Sequence, residues 1–93
     1  MAGRMAGKVA VITGATSGIG YGTARAFVKE GATLVFNARS ADKGAEVEEA
    51  LRGMAAGGEV HFVQADVGIR EQIEAVIDRA VRDFGRLDAL VNN

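Results

Sequence analysis

The 93-residue sequence has room for one small domain, and its 48% hydrophobic content is enough to build a core. A net charge of −1, with 25% of residues charged, leaves no basic field to grip nucleic acid. The absence of cysteine excludes disulfides and thiolate metal sites and fits a reducing cytosol, so a cytoplasmic location is expected. No apolar run approaches the ~20 residues of a membrane span, and the polar stretch Met1 to Lys8 lacks the apolar segment of a signal peptide.

In chain order, Val9, Ala10, Val11 and Ile12 form an apolar run stopped by a glycine turn, which predicts a strand buried on both faces. Thr13 and Gly14 begin the turn. A helix is predicted from Gly18 to Glu30, with Ile19, Ala24, Phe27 and Val28 at helical spacing and Gly31 as its C′ residue. Glycines 14, 18 and 20 thus make a G-x-x-x-G-x-G pattern between strand and helix. Gly14 lets the chain turn sharply, Gly18 lets backbone approach a bulky anion, and Gly20 lets helix pack closely on strand. The free N–H groups at that helix start would face a pyrophosphate. A tight turn without a ligand is the alternative, but a strand before, a helix after and a second strand near Val35 supply the context of a dinucleotide fingerprint. A phosphate-binding P-loop is excluded, since no Gly-Lys-Ser/Thr follows the turn.

Thr33 to Ala38 reads as a second buried strand, and Ser40 as the N-cap of a second helix with Asp42 in its first turn. That helix is expected to bury Val47, Ala50, Leu51 and Met54 and to end at Gly57-Gly58, with Glu46, Glu48, Glu49 and Arg52 on a solvated face. Val60 to Ala65 makes a third strand, in which His61 reads as an outward-facing residue and not a metal ligand. After Asp66-Val67-Gly68 comes the clearest stripe in the chain: Ile69, Ile73, Val76, Ile77, Ala80, Val81 and Phe84, closed by Gly85. Leu87 to Asn92 is a fourth strand. The alternation predicts an α/β fold, a Rossmann-like doubly wound parallel sheet in partial form, with four strands in the order 3-2-1-4 and three helices. No linker or repeat divides residues 1–93, which read as one dinucleotide-binding unit.

At the end of the second strand, NAD-binding domains place an acid for the ribose hydroxyls, roughly 20 residues beyond the glycines. The corresponding residues are Asn37-Ala38-Arg39-Ser40. Ala38 cannot accept those hydrogen bonds, whereas Arg39 offers a planar cation suited to a 2′-phosphate and Ser40 a hydroxyl beside it. The competing reading is an ordinary solvated arginine beside a helix cap, and Asp42 lies close enough to compete for Arg39. Asp66 is placed to accept from an adenine amino group, with backbone and apolar contact from Val67. A helix-cap role for Asp66 is weakened by Gly68, which takes the better cap position with Glu71 three residues on. Amides at Asn92 and Asn93 can tie the fourth strand's end to a neighbouring loop.

Thr13-Gly14-Ala15-Thr16-Ser17-Gly18-Ile19-Gly20, Asp66-Val67 and Leu90-Val91-Asn92-Asn93 closely resemble the short-chain dehydrogenase/reductase family, with its T-G-x-x-x-G-I-G, D-V and N-N-A-G motifs. The resemblance covers nearly all of the chain. It implies that Gly14, Thr16, Ser17 and Ile19 line diphosphate and ribose, that Arg39 reads a cofactor phosphate, that Asp66 and Val67 hold adenine, and that Asn93 touches the adenine-side ribose. Ala38 followed by Arg39 looks like the NADP-preferring branch, with NAD as the alternative cofactor. The N-N-A-G motif stops after its second asparagine, and the family's catalytic serine and Tyr-x-x-x-Lys pair lie downstream of it. Tyr21, the only tyrosine, is followed at position 25 by arginine and does not match that pair. The expectation is therefore an inactive cofactor-binding fragment of an alcohol dehydrogenase or carbonyl reductase, with no catalytic residue and no metal. A stand-alone nucleotide-binding or regulatory module is the alternative; a methyltransferase-like domain would also want an acid at position 38. An open sheet edge and uncovered apolar surface predict self-association, and the parent enzyme is expected to be a homo-oligomer.

Overall fold

The computed structural model describes residues 3–16 and 18–92. Its elements run β1 (Val9–Thr13), α1 (Gly18–Lys29), β2 (Thr33–Ala38), α2 (Ala41–Arg52), β3 (Val60–Gln64), α3 (Arg70–Phe84) and β4 (Ala89–Asn92). The strands form one sheet in the order β3-β2-β1-β4, and every pairing is parallel, with Val11 opposite Val35 and Leu90 and with Phe36 opposite Phe62. This is the expected architecture.

The handedness of the crossovers explains the layering. The chain steps from β1 to β2 to β3 in one direction, so right-handed crossovers put α1 and α2 on the same face. It then returns past β1 to β4, which sends α3 to the opposite face. Strand alternation divides the core accordingly: Ala10, Ile12, Leu34 and Phe36 pack with Ala24, Val28, Val47 and Leu51, while Val9, Val11 and Val35 pack with Val76 and Ala80. Because both faces are covered, β1 is buried along its whole length.

Several expectations need correction. Helix α2 ends at Arg52 with Gly53 as its C-cap, and the Gly57-Gly58 pair belongs to the following turn. Ala50 is exposed, because Gly44, Val47 and Leu51 already occupy the turn-by-turn positions that face the sheet. Gly44 is buried because the ring of Phe62 lies where a side-chain methyl would project. Glu48 is not merely solvated: its Oε2 accepts the Phe62 N–H at 2.6 Å. Arg52, 3.4 Å from the same carboxylate, donates from Nε to the Val60 carbonyl at 3.0 Å. Two α2 side chains therefore occupy the outer backbone groups of the edge strand β3, which blunts a pairing edge. The stripe on α3 is buried only at Val76 and Ala80; Ile69 and Val81 are 42% and 45% exposed. Ile77 and Phe84 pack against the same cluster, but among the described residues no second helix lies beside α3 on its face of the sheet to cover Ile69 and Val81.

Candidate functional site

The three loops at the carboxyl ends of β1, β2 and β3 meet at one end of the sheet, where doubly wound folds bind ligands. The β1–α1 turn is made possible by Gly14 at φ +68° and Gly18 at φ +58°, values that a side chain disfavours. The Gly14 N–H donates to Asn37 Oδ1 at 3.3 Å. Gly14 therefore shapes the turn but does not aim its amide at a ligand. The first amides of α1, from Gly18 onward, have no intrahelical partner. Ile19 stands 81% exposed beside them, and Gly20 is buried inside the helix.

A cleft of about 330 Å³ lies between this turn and the start of α2, with Thr16, Ala38, Arg39, Ser40, Lys43 and Val67 on its walls. Ala38 is buried and has no side-chain acceptor. Arg39 is exposed and has no ion-pair partner among the described residues, Asp42 included. Ser40 is the N-cap of α2, its Oγ accepting the Lys43 N–H at 3.2 Å. That cap turns the chain so that Lys43 also faces the cleft, where its ammonium sits 4.0 Å from Glu46. Two cations and the positive end of α2 thus surround a small open volume, an arrangement that favours an anion.

On the other side of Arg39 lies a second, shallower cleft of about 480 Å³, bounded by Gln64, Asp66, Ile69 and Gln72. Arg39 forms the wall between the two, and Gln64 Nε2 holds its backbone carbonyl at 2.9 Å. Asp66 Oδ1 accepts the Gly68 N–H at 2.8 Å, while the Asp66 N–H is taken by Gln72 Oε1 at 2.8 Å. The N-cap of α3 is Ile69, without a side-chain cap; the expected cap at Gly68 is displaced because Asp66 closes a local turn one residue earlier. Asp66 Oδ2 has no protein partner among the described residues.

The family model described as short chain dehydrogenase matches residues 8–93. The chain belongs to the short-chain dehydrogenase family. It is 50% identical over 91 residues to an uncharacterised oxidoreductase of Methylorubrum extorquens, covering 97% of this chain and 36% of that protein. It is 44% identical over 90 residues to an L-fucose dehydrogenase of Oryctolagus cuniculus, covering 97% and 30% of the two chains. Among solved structures it resembles a glucose dehydrogenase of Caenorhabditis elegans in its apo form, with TM-score 0.87 and 36% identity over 97% of this chain and 38% of that one. The chain spans about a third of the length of these relatives.

Of the residues singled out from this short-chain dehydrogenase sequence, Gly14, Thr16, Arg39, Ser40 and Val67 border the smaller cleft, and Asp66 borders its neighbour across Arg39. Gly18 and Ile19 stand at the start of α1. Ser17 and Asn93 lie outside the described residues. Sequence reasoning missed Lys43, although its spacing from the Ser40 cap placed it on the first turn, and Gln72, for which no sequence signal exists. It also left Asn37 without a role, although one polar side chain inside an apolar strand was a visible signal. Among the described residues no three His, Asp or Glu side chains gather as a metal site, and no helix is long and apolar enough to cross a membrane. Tyr21 lies half-buried in α1 under the Arg25 guanidinium, 5.8 Å from the ring centre.

Proposed function

We propose that this chain is the NADP(H)-binding part of a cytoplasmic oxidoreductase that interconverts an alcohol and a carbonyl, and that it does not turn over substrate by itself. The observation that carries the reading is the pairing of buried Ala38, which offers no ribose acceptor, with exposed Arg39 and Lys43 on the same cleft. The nicotinamide cofactor, when bound, supplies or takes up the hydride. The chain's own residues bind and orient it. Gly14 and Gly18 hold open the turn before α1, whose first amides and dipole favour the diphosphate. Thr16, Ile19 and Gly20 complete that end, and the family resemblance assigns Ser17 to the diphosphate and Asn93 to the ribose.

Arg39 reads the 2′-phosphate, helped by Lys43 and the Ser40 hydroxyl. Asp66, with one carboxylate oxygen left over from its own turn, accepts from the adenine amino group, and Val67, 53% exposed, lies against the ring. Exposed Val81 and Leu90 support self-association. A titration of NADP+ and NAD+ against wild type, Arg39→Ala and Ala38→Asp tests the reading. A charge-assisted hydrogen bond contributes about 1.5–3 kcal/mol. Exposure of Arg39 places the expected loss at the lower end, about tenfold in NADP+ affinity. NAD+ affinity should hardly change. Ala38→Asp should invert the preference by adding a ribose acceptor and repelling the phosphate. Equal weakening of both cofactors by Arg39→Ala would reduce Arg39 to a surface charge.

A further inference from the structure

We propose that Asn37 is a positioning residue for the dinucleotide: its buried amide sets the separation between the glycine turn after β1 and the carboxyl end of β3, so that both halves of the cleft fit one ligand. The inference rests on the dinucleotide reading above and adds a residue that the reading does not use. Asn37 is 1% exposed and is one of two buried polar residues among the described ones, the other being Thr13. Its Oδ1 accepts the Gly14 N–H at 3.3 Å, and its Nδ2 donates to the Ala65 carbonyl at 3.0 Å. One planar amide therefore joins the turn of the first strand to the end of the third across the second.

The position explains why an amide is required. The residue must accept from one backbone group and donate to another on opposite sides, and of the uncharged side chains of this length only asparagine does both with fixed geometry. An apolar residue would leave a buried N–H and a buried carbonyl without this partner. The neighbours of those two groups are the residues assigned to the ligand. Gly14 opens the turn that leads to Thr16 and α1, and Ala65 precedes Asp66 and Val67. Ala65 also donates its N–H to the Ala38 carbonyl at 3.0 Å, so Ala38, the selectivity position, is held by the same backbone ladder and not by Asn37. Asn37 therefore governs how well any dinucleotide spans the cleft, whereas Arg39 governs which one is preferred.

The two roles separate experimentally. Wild type, Asn37→Leu and Asn37→Ser are titrated with NADP+ and with NAD+ at a temperature where circular dichroism reports each as folded. Leucine replaces both hydrogen bonds with none; the serine hydroxyl reaches one group but cannot span both. The expected result is a loss of about three- to tenfold for both cofactors. The NADP+ to NAD+ ratio should stay within twofold of wild type. In NMR spectra of the folded serine variant the Gly14 amide proton should shift and exchange faster, while amides at the β1–β4 pairing stay unchanged. Unaltered affinities with only a lowered melting temperature would overturn the positioning role and leave Asn37 as a fold-stabilising residue. A changed cofactor ratio would overturn it as well, because Asn37 would then act on the 2′-phosphate. Wild type that binds neither dinucleotide would overturn the underlying reading, and this inference with it. Should Asn37→Leu not fold, the serine variant and the Gly14 resonance decide.

Discussion

Gly44 sits in the first half of α2, where propensity alone predicts that alanine would stabilise the helix by about 1 kcal/mol. The packing predicts the opposite sign. A methyl group at Gly44 would project into the ring of Phe62 on β3. That ring is half-buried and packs on fully buried Phe36, with centroids 5.5 Å apart and planes tilted by 36°. Overpacking of this kind costs about 1–3 kcal/mol. If the ring escapes toward solvent instead, the aromatic pair is lost, which alone costs about 0.5–1.5 kcal/mol beyond the area it exposes. Set against the propensity gain, either route leaves Gly44→Ala destabilising by a net of up to about 2 kcal/mol. For a domain of this size that lowers the melting temperature by up to about 16 °C. Urea melts of Gly44→Ala, Phe62→Leu and the double variant form a cycle that isolates the clash. The double variant should be more stable than the sum of the single losses by about 1 kcal/mol, since leucine vacates the space the methyl needs. A Gly44→Ala protein that melts higher than wild type would refute the reasoning and show that α2 and β3 are not in fixed contact.

Glu48→Ala should destabilise by about 1–2 kcal/mol through loss of a charge-assisted bond to the Phe62 N–H, and should raise self-association by reopening the β3 edge; urea melts and sedimentation velocity check both. Asp88 is held at about 2, below the usual 3.8, first by the Arg86 guanidinium and then by the Val9 N–H, the latter at 2.8 Å. Its stabilising effect is therefore complete above pH 4 and is lost as pH falls toward 2. The melting-temperature gap between wild type and Asp88→Asn should accordingly be wide at pH 6 and narrow at pH 2. A gap that does not change with pH would mean that the carboxylate charge adds nothing. The pure 93-residue protein should oxidise or reduce no alcohol or ketone above a buffer control, because orienting a cofactor without an acid/base group leaves the proton step unassisted; cofactor absorbance at saturating substrate is the readout.

Local chemistry made most of this fold legible from the sequence. A short apolar run can only be a doubly buried strand once helices flank it, and the glycines at 14 and 18 mark the place where the backbone must take positive φ. Those signals, with further apolar runs at Val35 and Val91 and helical spacing between them, predicted four parallel strands, and the doubly wound pattern supplied their order and the end of the sheet at which ligands bind. The Ser40 cap was equally readable, since a cap depends only on residues three apart. What the tertiary structure decided were the contacts between segments distant in sequence. Glu48 and Arg52 look like surface charges until β3 arrives beside α2. Gly44 looks like a weak point in a helix until Phe62 fills the space above it. Asn37 is an unexplained polar residue until Gly14 and Ala65 are brought to its two ends. In each case the side chain's role is set by a backbone group at least eight residues away or by a ring on another element, and periodicity within one element carries no information about such partners.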